Sequence, residues 1–94
     1  LPAWKGLVEQ FPASGMGYFA LGNTRYAAGD IQGAIVAFRA AVERREELGP
    51  AWLNLGLLLA AQDETSEARH ALNRAAALPG SWQTQANEAL SRLP

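Results

Sequence analysis

The sequence contains no cysteine. Disulfide bridges, thiolate metal ligands and a cysteine nucleophile are therefore excluded for these residues. Its one histidine is His70. A zinc site needs several ligands at suitable spacing, and a single His without Cys does not supply them. β-Branched residues are scarce: valine occurs only at Val8, Val36 and Val42, and isoleucine only at Ile31 and Ile35. Ala and Leu dominate the apolar 49%, a flavour that favours helix over strand. No long hydrophobic run occurs. The longest, Leu55 to Ala61, falls well short of the ~20 residues a membrane-spanning helix needs, so membrane insertion is not expected. No signal peptide is visible at the N-terminus. Nor is there an excess of one charge. The formal net charge is -1 with both signs interspersed, and without a basic patch no nucleic-acid partner is expected. The longest charge run, Glu43-Arg44-Arg45-Glu46-Glu47, is mixed in sign and reads as a solvated helix end.

The signatures of catalysis are missing as well. Gly15-Met16-Gly17 lacks the preceding strand and following spacing of a phosphate-binding loop. No paired carboxylates suggest hydrolysis, and Asp30 is better placed as a helix cap. His70 has no evident orienting partner for acid–base work. The expectation is a chain that is no enzyme, with no catalytic residue, cofactor or metal.

What is present is a repeat. Leu21-Gly22 recurs as Leu55-Gly56, 34 residues later. The same offset relates Tyr18 to Trp52, Ala34 to Ala68, Phe38 to Leu72, and Ala41 to Ala75. Five landmarks at one offset in 94 residues define a unit of about the length of a helix–turn–helix solenoid repeat. Helices are expected at about 2–10, 15–28, from Asp30 to about Leu48, from Pro50 to about Gln62, at about 66–77, and from Ser81 or Trp82 to Leu93. Gly29 suits a position just past a helix end. Asp30 suits an N-cap, and Pro50 a first turn.

The residues Tyr18-Phe19-Ala20-Leu21-Gly22-Asn23, with Tyr26, Gly29-Asp30, Ala34, Phe38 and Ala41, resemble a tetratricopeptide repeat (TPR). Trp52-Leu53-Asn54-Leu55-Gly56, with Leu59, Ala68, Leu72 and Ala75, resembles a second copy. The resemblance implies an all-α fold: a right-handed superhelix of antiparallel helix pairs with one half-repeat, two full repeats and a C-terminal capping helix. Within a single domain over 1–94, residues 1–12 would be the second helix of a truncated repeat, 15–48 the first full repeat, 49–80 the second and 81–94 the cap. Trp4 and Leu7 lie 34 residues before Phe38 and Ala41, and Pro12 falls where the family closes a repeat. A chain that starts inside a repeat, at Leu1 rather than Met, reads as part of a longer array. Gly22 and Gly56 would stand where the two helices of each repeat cross, opposite Ala34 and Ala68. Tyr18, Leu21, Phe38, Trp52, Leu55 and Leu72 would fill the space between layers. Gln83, Gln85, Asn87, Glu88 and Arg92 would give the cap its polar outer face.

Three departures stand out. Arg25 occupies a position usually aromatic, with Tyr26 beside it. Glu46 and Gly80 stand where proline usually closes the repeat, so Gly49-Pro50 would make the first break slightly late.

The resemblance further implies that the first helix of each repeat lines a concave groove. Its positions here are Met16, Phe19, Asn23, Tyr26 and Ala27, then Pro50, Leu53, Leu57, Ala60 and Ala61. This surface is mostly apolar, which suggests either a protein or peptide partner or coverage by another part of the parent protein. Asn23 and Asn54 match the asparagines of a TPR clamp for C-terminal carboxylates. The clamp's cations are absent, Phe19 standing in place of the first lysine, and both asparagines read as structural. Trp4 and Trp82 read as packing residues, Trp82 fixing the cap to the second repeat. Two further readings are open. One is an accessory TPR domain of a larger bacterial enzyme such as a cysteine peptidase, to whose TPR tails Leu21-Gly22-Asn23, Arg25-Tyr26-Ala27, Gly29-Asp30 and Leu78-Pro79-Gly80-Ser81-Trp82 are similar. The other is self-association as a homodimer.

Overall fold

A computed structural model describes residues 14–94. Among them the regular structure is entirely helical: α1 (Gly15–Ala27), α2 (Ile31–Arg44), α3 (Gly49–Ala61), α4 (Thr65–Ala77) and α5 (Trp82–Arg92). The expected helix at 2–10, with Trp4, lies outside the described residues. The chain divides into two compact units, Leu1–Glu46 and Glu47–Pro94.

In the first unit, Ser14 caps α1 by accepting a hydrogen bond from the Gly17 N–H at 3.1 Å. The helix ends in a two-bond αL closure. The Gly29 N–H donates to Tyr26 O at 3.0 Å and the Asp30 N–H to Arg25 O at 2.9 Å, with Gly29 at φ 84°. These bonds satisfy carbonyls that the helix end would otherwise leave bare. Asp30 then caps α2, its carboxylate accepting from the Gly33 N–H at 3.0 Å. With so short a connection the helices run antiparallel. The start of α1 at Gly15 abuts Arg45, and its middle at Gly22 abuts Phe38.

That second contact shows what the small residues do. A Cβ on Gly22 would lie 2.6–2.9 Å from three carbons of the Phe38 ring, closer than packing allows. Phe38 is 1% exposed, Ala34 and Ala41 are fully buried, and Phe19 leans on Phe38 with ring centroids 5.8 Å apart. Burying an aromatic of this size contributes roughly 1.5–3 kcal/mol, and the bare Gly22 backbone is what admits it.

The second unit repeats the design. A Cβ on Gly56 would lie 2.6 Å from Leu72 Cγ, and Leu72, Ala68 and Ala75 have no exposed surface. The α3 end closes as α1 does, through Asp63 N–H to Ala60 O at 3.1 Å and Glu64 N–H to Leu59 O at 2.9 Å. Here the left-handed residue is Asp63, at φ 63°. Pro50 lies in the first turn of α3, where its missing N–H costs nothing. Trp82 opens α5, and its indole covers Gly49 so closely that a Cβ there would overlap the ring. The Trp82 Nε1–H donates to Leu78 O at 3.2 Å and Gln83 Nε2 to Ala76 O at 3.0 Å. Trp82 thus does fasten the last helix to the second helix pair.

One expected boundary is wrong. The helix expected to reach Leu48 ends at Arg44, and Arg45 is extended at φ −148°, ψ 90°. The break therefore falls beside Glu46, at the family's usual place, and Gly49-Pro50 opens the next helix rather than ending this one. Continuing the helix would set Glu46 and Glu47 against the negative end of its dipole. Leaving it exposes both to water, and the four residues Arg45 to Leu48 make the connection to α3.

Candidate functional site

The expected binding positions recur at the repeat offset, since Phe19, Asn23 and Tyr26 correspond to Leu53, Leu57 and Ala60. Within α1, Met16, Phe19, Asn23 and Tyr26 are spaced by three, four and three residues. Within α3, Leu53, Leu57 and Ala60 are spaced by four and three. Each set therefore shares one helical face.

Their exposure differs. Met16 is 47% exposed, Tyr26 56% and Leu57 42%, and Asn23 is exposed as well. Phe19 and Ala60 are half-buried. Leu53 is buried at 6%. Phe19 divides its role, with its ring packed on Phe38 and part of its surface still wet. Among the described residues the exposed large apolar side chains are Met16, Tyr26, Leu57 and Val36. All but Val36 sit on the first helix of a pair.

The aromatics expected to pack do so in company. Trp52 is 9% exposed. The Arg74 guanidinium lies 5.5 Å from its ring centroid, and His70 meets it edge-on at 5.7 Å. Arg44 lies 5.8 Å over half-buried Tyr18. Each arginine comes from the second helix of its pair and covers an aromatic of the first, a favourable cation–π arrangement.

Sequence reasoning missed Arg25. Instead of replacing an aromatic in the packing, it donates from its guanidinium to Asp30 Oδ2 at 2.8 Å across the turn. The Gly33 N–H bond, with the Arg25 guanidinium second, holds the Asp30 carboxyl below the usual carboxylate range. A Cβ on Gly33 would collide with both side chains, so that glycine leaves room for the cap. An acid at an N-cap five residues after an arginine was the available signal.

Charge is distributed unevenly. Across α1 and α3 the single charged side chain is Arg25, already ion-paired. The second helices carry the rest of the pairs' helical charge: Arg39, Glu43 and Arg44 on α2, Glu67, Arg69 and Arg74 on α4. Among the described residues no group of three or more His, Asp or Glu is placed to hold a metal ion. No described helix is long and apolar enough to cross a membrane.

A family model for the tetratricopeptide repeat matches residues 1–50 and 19–83. The chain belongs to the tetratricopeptide repeat family. The helix pairs, the glycine contacts and the 34-residue period are thus those of TPR units, which in general mediate protein–protein interactions and are typically non-catalytic. No curated protein sequence matches the chain significantly.

Proposed function

We propose that this TPR chain is a protein-interaction module whose first-helix faces each bind a peptide or partner segment: Met16, Phe19, Asn23 and Tyr26 on α1, and Leu57 and Ala60 with the edge of Leu53 on α3. The observation that carries this reading is the placement of Met16, Tyr26 and Leu57. They leave large apolar surface in water on equivalent helices, at 42–56% exposure. Nothing described in their own helix pairs covers that surface, and large apolar side chains left in water support a contact with a partner. Binding and not turnover is the reading, because among the described residues no acid–base pair or metal cluster accompanies the faces.

The test is a displayed library of random peptides, panned against the purified chain and then against Leu57→Glu and Val36→Glu. Both substitutions fall on exposed positions, so both variants are expected to keep wild-type helicity. Selected peptides should lose about tenfold or more in affinity for Leu57→Glu and little for Val36→Glu, whose site lies on the second helix. Peptides that bind both variants as they bind wild type would place the site elsewhere.

A further inference from the structure

α5 is attached to the second helix pair far more thinly than the pair is held together. α3 buries Trp52, Leu53, Leu55 and Leu59 among others, and α4 buries Ala68, Ala71, Leu72 and Ala75. α5 buries Ala86 alone. Its other attachments lie towards its two ends. At the start, the half-buried Trp82 indole covers Gly49, and Gln83 Nε2 donates to Ala76 O at 3.0 Å. Past the end, Arg69 Nη2 donates to Pro94 O at 2.9 Å in an exposed position. Ser81, just ahead of the helix, makes no side-chain cap hydrogen bond. The connection from α4 runs through Gly80 at φ 154°, a backbone region that glycine enters without strain.

From this placement we propose that α5 is a strap: it opens and closes as one unit on the α3–α4 pair, hinged at Gly80, with Trp82 as its latch. Segments with few buried apolar contacts open at lower free energy than the core beside them. That α5 opens as a whole follows from its length. It has 11 residues, and helices shorter than about 12–15 residues are marginal when isolated in water. Once undocked, α5 loses its helix too, and its amides become exposed together. The pair beneath keeps its own core, since the Gly56–Leu72 contact lies between α3 and α4. Opening uncovers Gly49 at the start of α3 and frees the indole. This inference concerns the second unit by itself and does not rest on the interaction reading above.

The test is amide hydrogen exchange of the full chain, resolved by NMR in water and in urea below the unfolding transition. In wild type, the amides of Ala86 to Ser91 should exchange through one shared opening, with protection about tenfold or more below that of Leu55 to Leu59 in α3. Trp82→Ala should lower the α5 protection by a further factor of about ten and that of Leu55 to Leu59 by less than about threefold. Protection that declines residue by residue from Ala86 to Ser91 is fraying of a helix end and overturns the strap. Protection of α5 equal to that of α3, or equal acceleration of both by Trp82→Ala, makes the three helices one cooperative unit and overturns it as well. α5 amides that do not respond to Trp82→Ala overturn the latch. Should that variant fail to fold, the wild-type profile decides by itself.

Discussion

Replacing Asp63 with glycine should stabilise the second helix pair, and replacing Gly29 with aspartate should destabilise the first by a similar amount. The two positions are 34 residues apart and do the same work. Each is the left-handed residue of an αL closure, at φ 84° for Gly29 and 63° for Asp63, with matching pairs of backbone hydrogen bonds of 2.9–3.1 Å. An L-residue in this region suffers a clash between its Cβ and the carbonyl oxygen that costs roughly 1–2 kcal/mol. Aspartate sits at the low end because its short polar side chain tolerates the conformation. Against that gain, glycine in the unfolded chain has more freedom to lose, an opposing ~0.4–1 kcal/mol. Contacts add little, since a Cβ at Gly29 would meet nothing within 4 Å and Asp63 is exposed. The Asp63 charge faces the C-terminus of α3 and the N-terminus of α4 at once, so its two dipole interactions oppose each other.

The net is about 0–0.6 kcal/mol in favour of Asp63→Gly. For a domain of this size that is a rise in Tm of up to about 5 °C, with a comparable fall for Gly29→Asp. Thermal and urea unfolding followed by far-UV circular dichroism would measure both. A Gly29→Asp variant that melts later than wild type, or an Asp63→Gly variant that melts earlier with unchanged helicity, would refute the reasoning. Either would mean that left-handed strain is not what distinguishes these two turns.

Three further outcomes follow from the packing. Gly22→Ala should destabilise by about 1 kcal/mol in urea unfolding. The new methyl overpacks the buried Phe38 ring at a cost of roughly 1–3 kcal/mol, and the ~1 kcal/mol gain in helix propensity offsets only part of it. Gly49→Ala should push the Trp82 indole off α3, giving a red-shifted tryptophan emission and a loss of about 1–3 kcal/mol; unchanged emission would contradict the fastening role of Trp82. Asp30 has a lowered pKa in the folded state, so its contribution is complete above its unfolded value and is lost as pH falls through the folded one. Wild-type Tm should therefore drop more steeply below about pH 4 than that of Asp30→Asn, whose amide oxygen still caps the helix; parallel pH–Tm curves would exclude Asp30 as the titrating group.

Much of the fold was legible because the repeat states its contacts twice. Gly22 against Phe38 and Gly56 against Leu72 are one contact at two addresses, and a size pairing of that kind survives in sequence as a spacing. Gly29 and Asp30 were legible for a related reason: the left-handed turn and the N-cap accept few residue types. The end of α2 was not, since a charge run of mixed sign is compatible with either helix or connection and the dipole decides between them. Arg25 misled because the family frame assigns its position to packing, while a five-residue ion pair across a turn has no periodic signature. The binding face was only half legible. The frame places Leu53 and Leu57 on one face, but whether a leucine there is 6% or 42% exposed depends on how far the helix is rotated in its packing, which spacing alone does not give.

The contrast between α3 and its neighbour bears most directly on function. A surface helix that needs only to fold against one partner ordinarily carries an apolar stripe and a charged opposite face. α4 is built that way, with Ala68, Ala71, Leu72 and Ala75 inside and Glu67, Arg69 and Arg74 outside. α3 is apolar on nearly every side. Its buried residues already include Ala51, Trp52, Leu53, Leu55 and Leu59, and Leu57 is left over. Folding of the helix pair does not require Leu57 to be apolar, since a glutamate or lysine there would solvate the helix better at no cost in helix propensity. The same holds for Met16 on α1. The proposed contact outside the helix pair is what would account for apolar side chains kept in water where charge would serve folding as well.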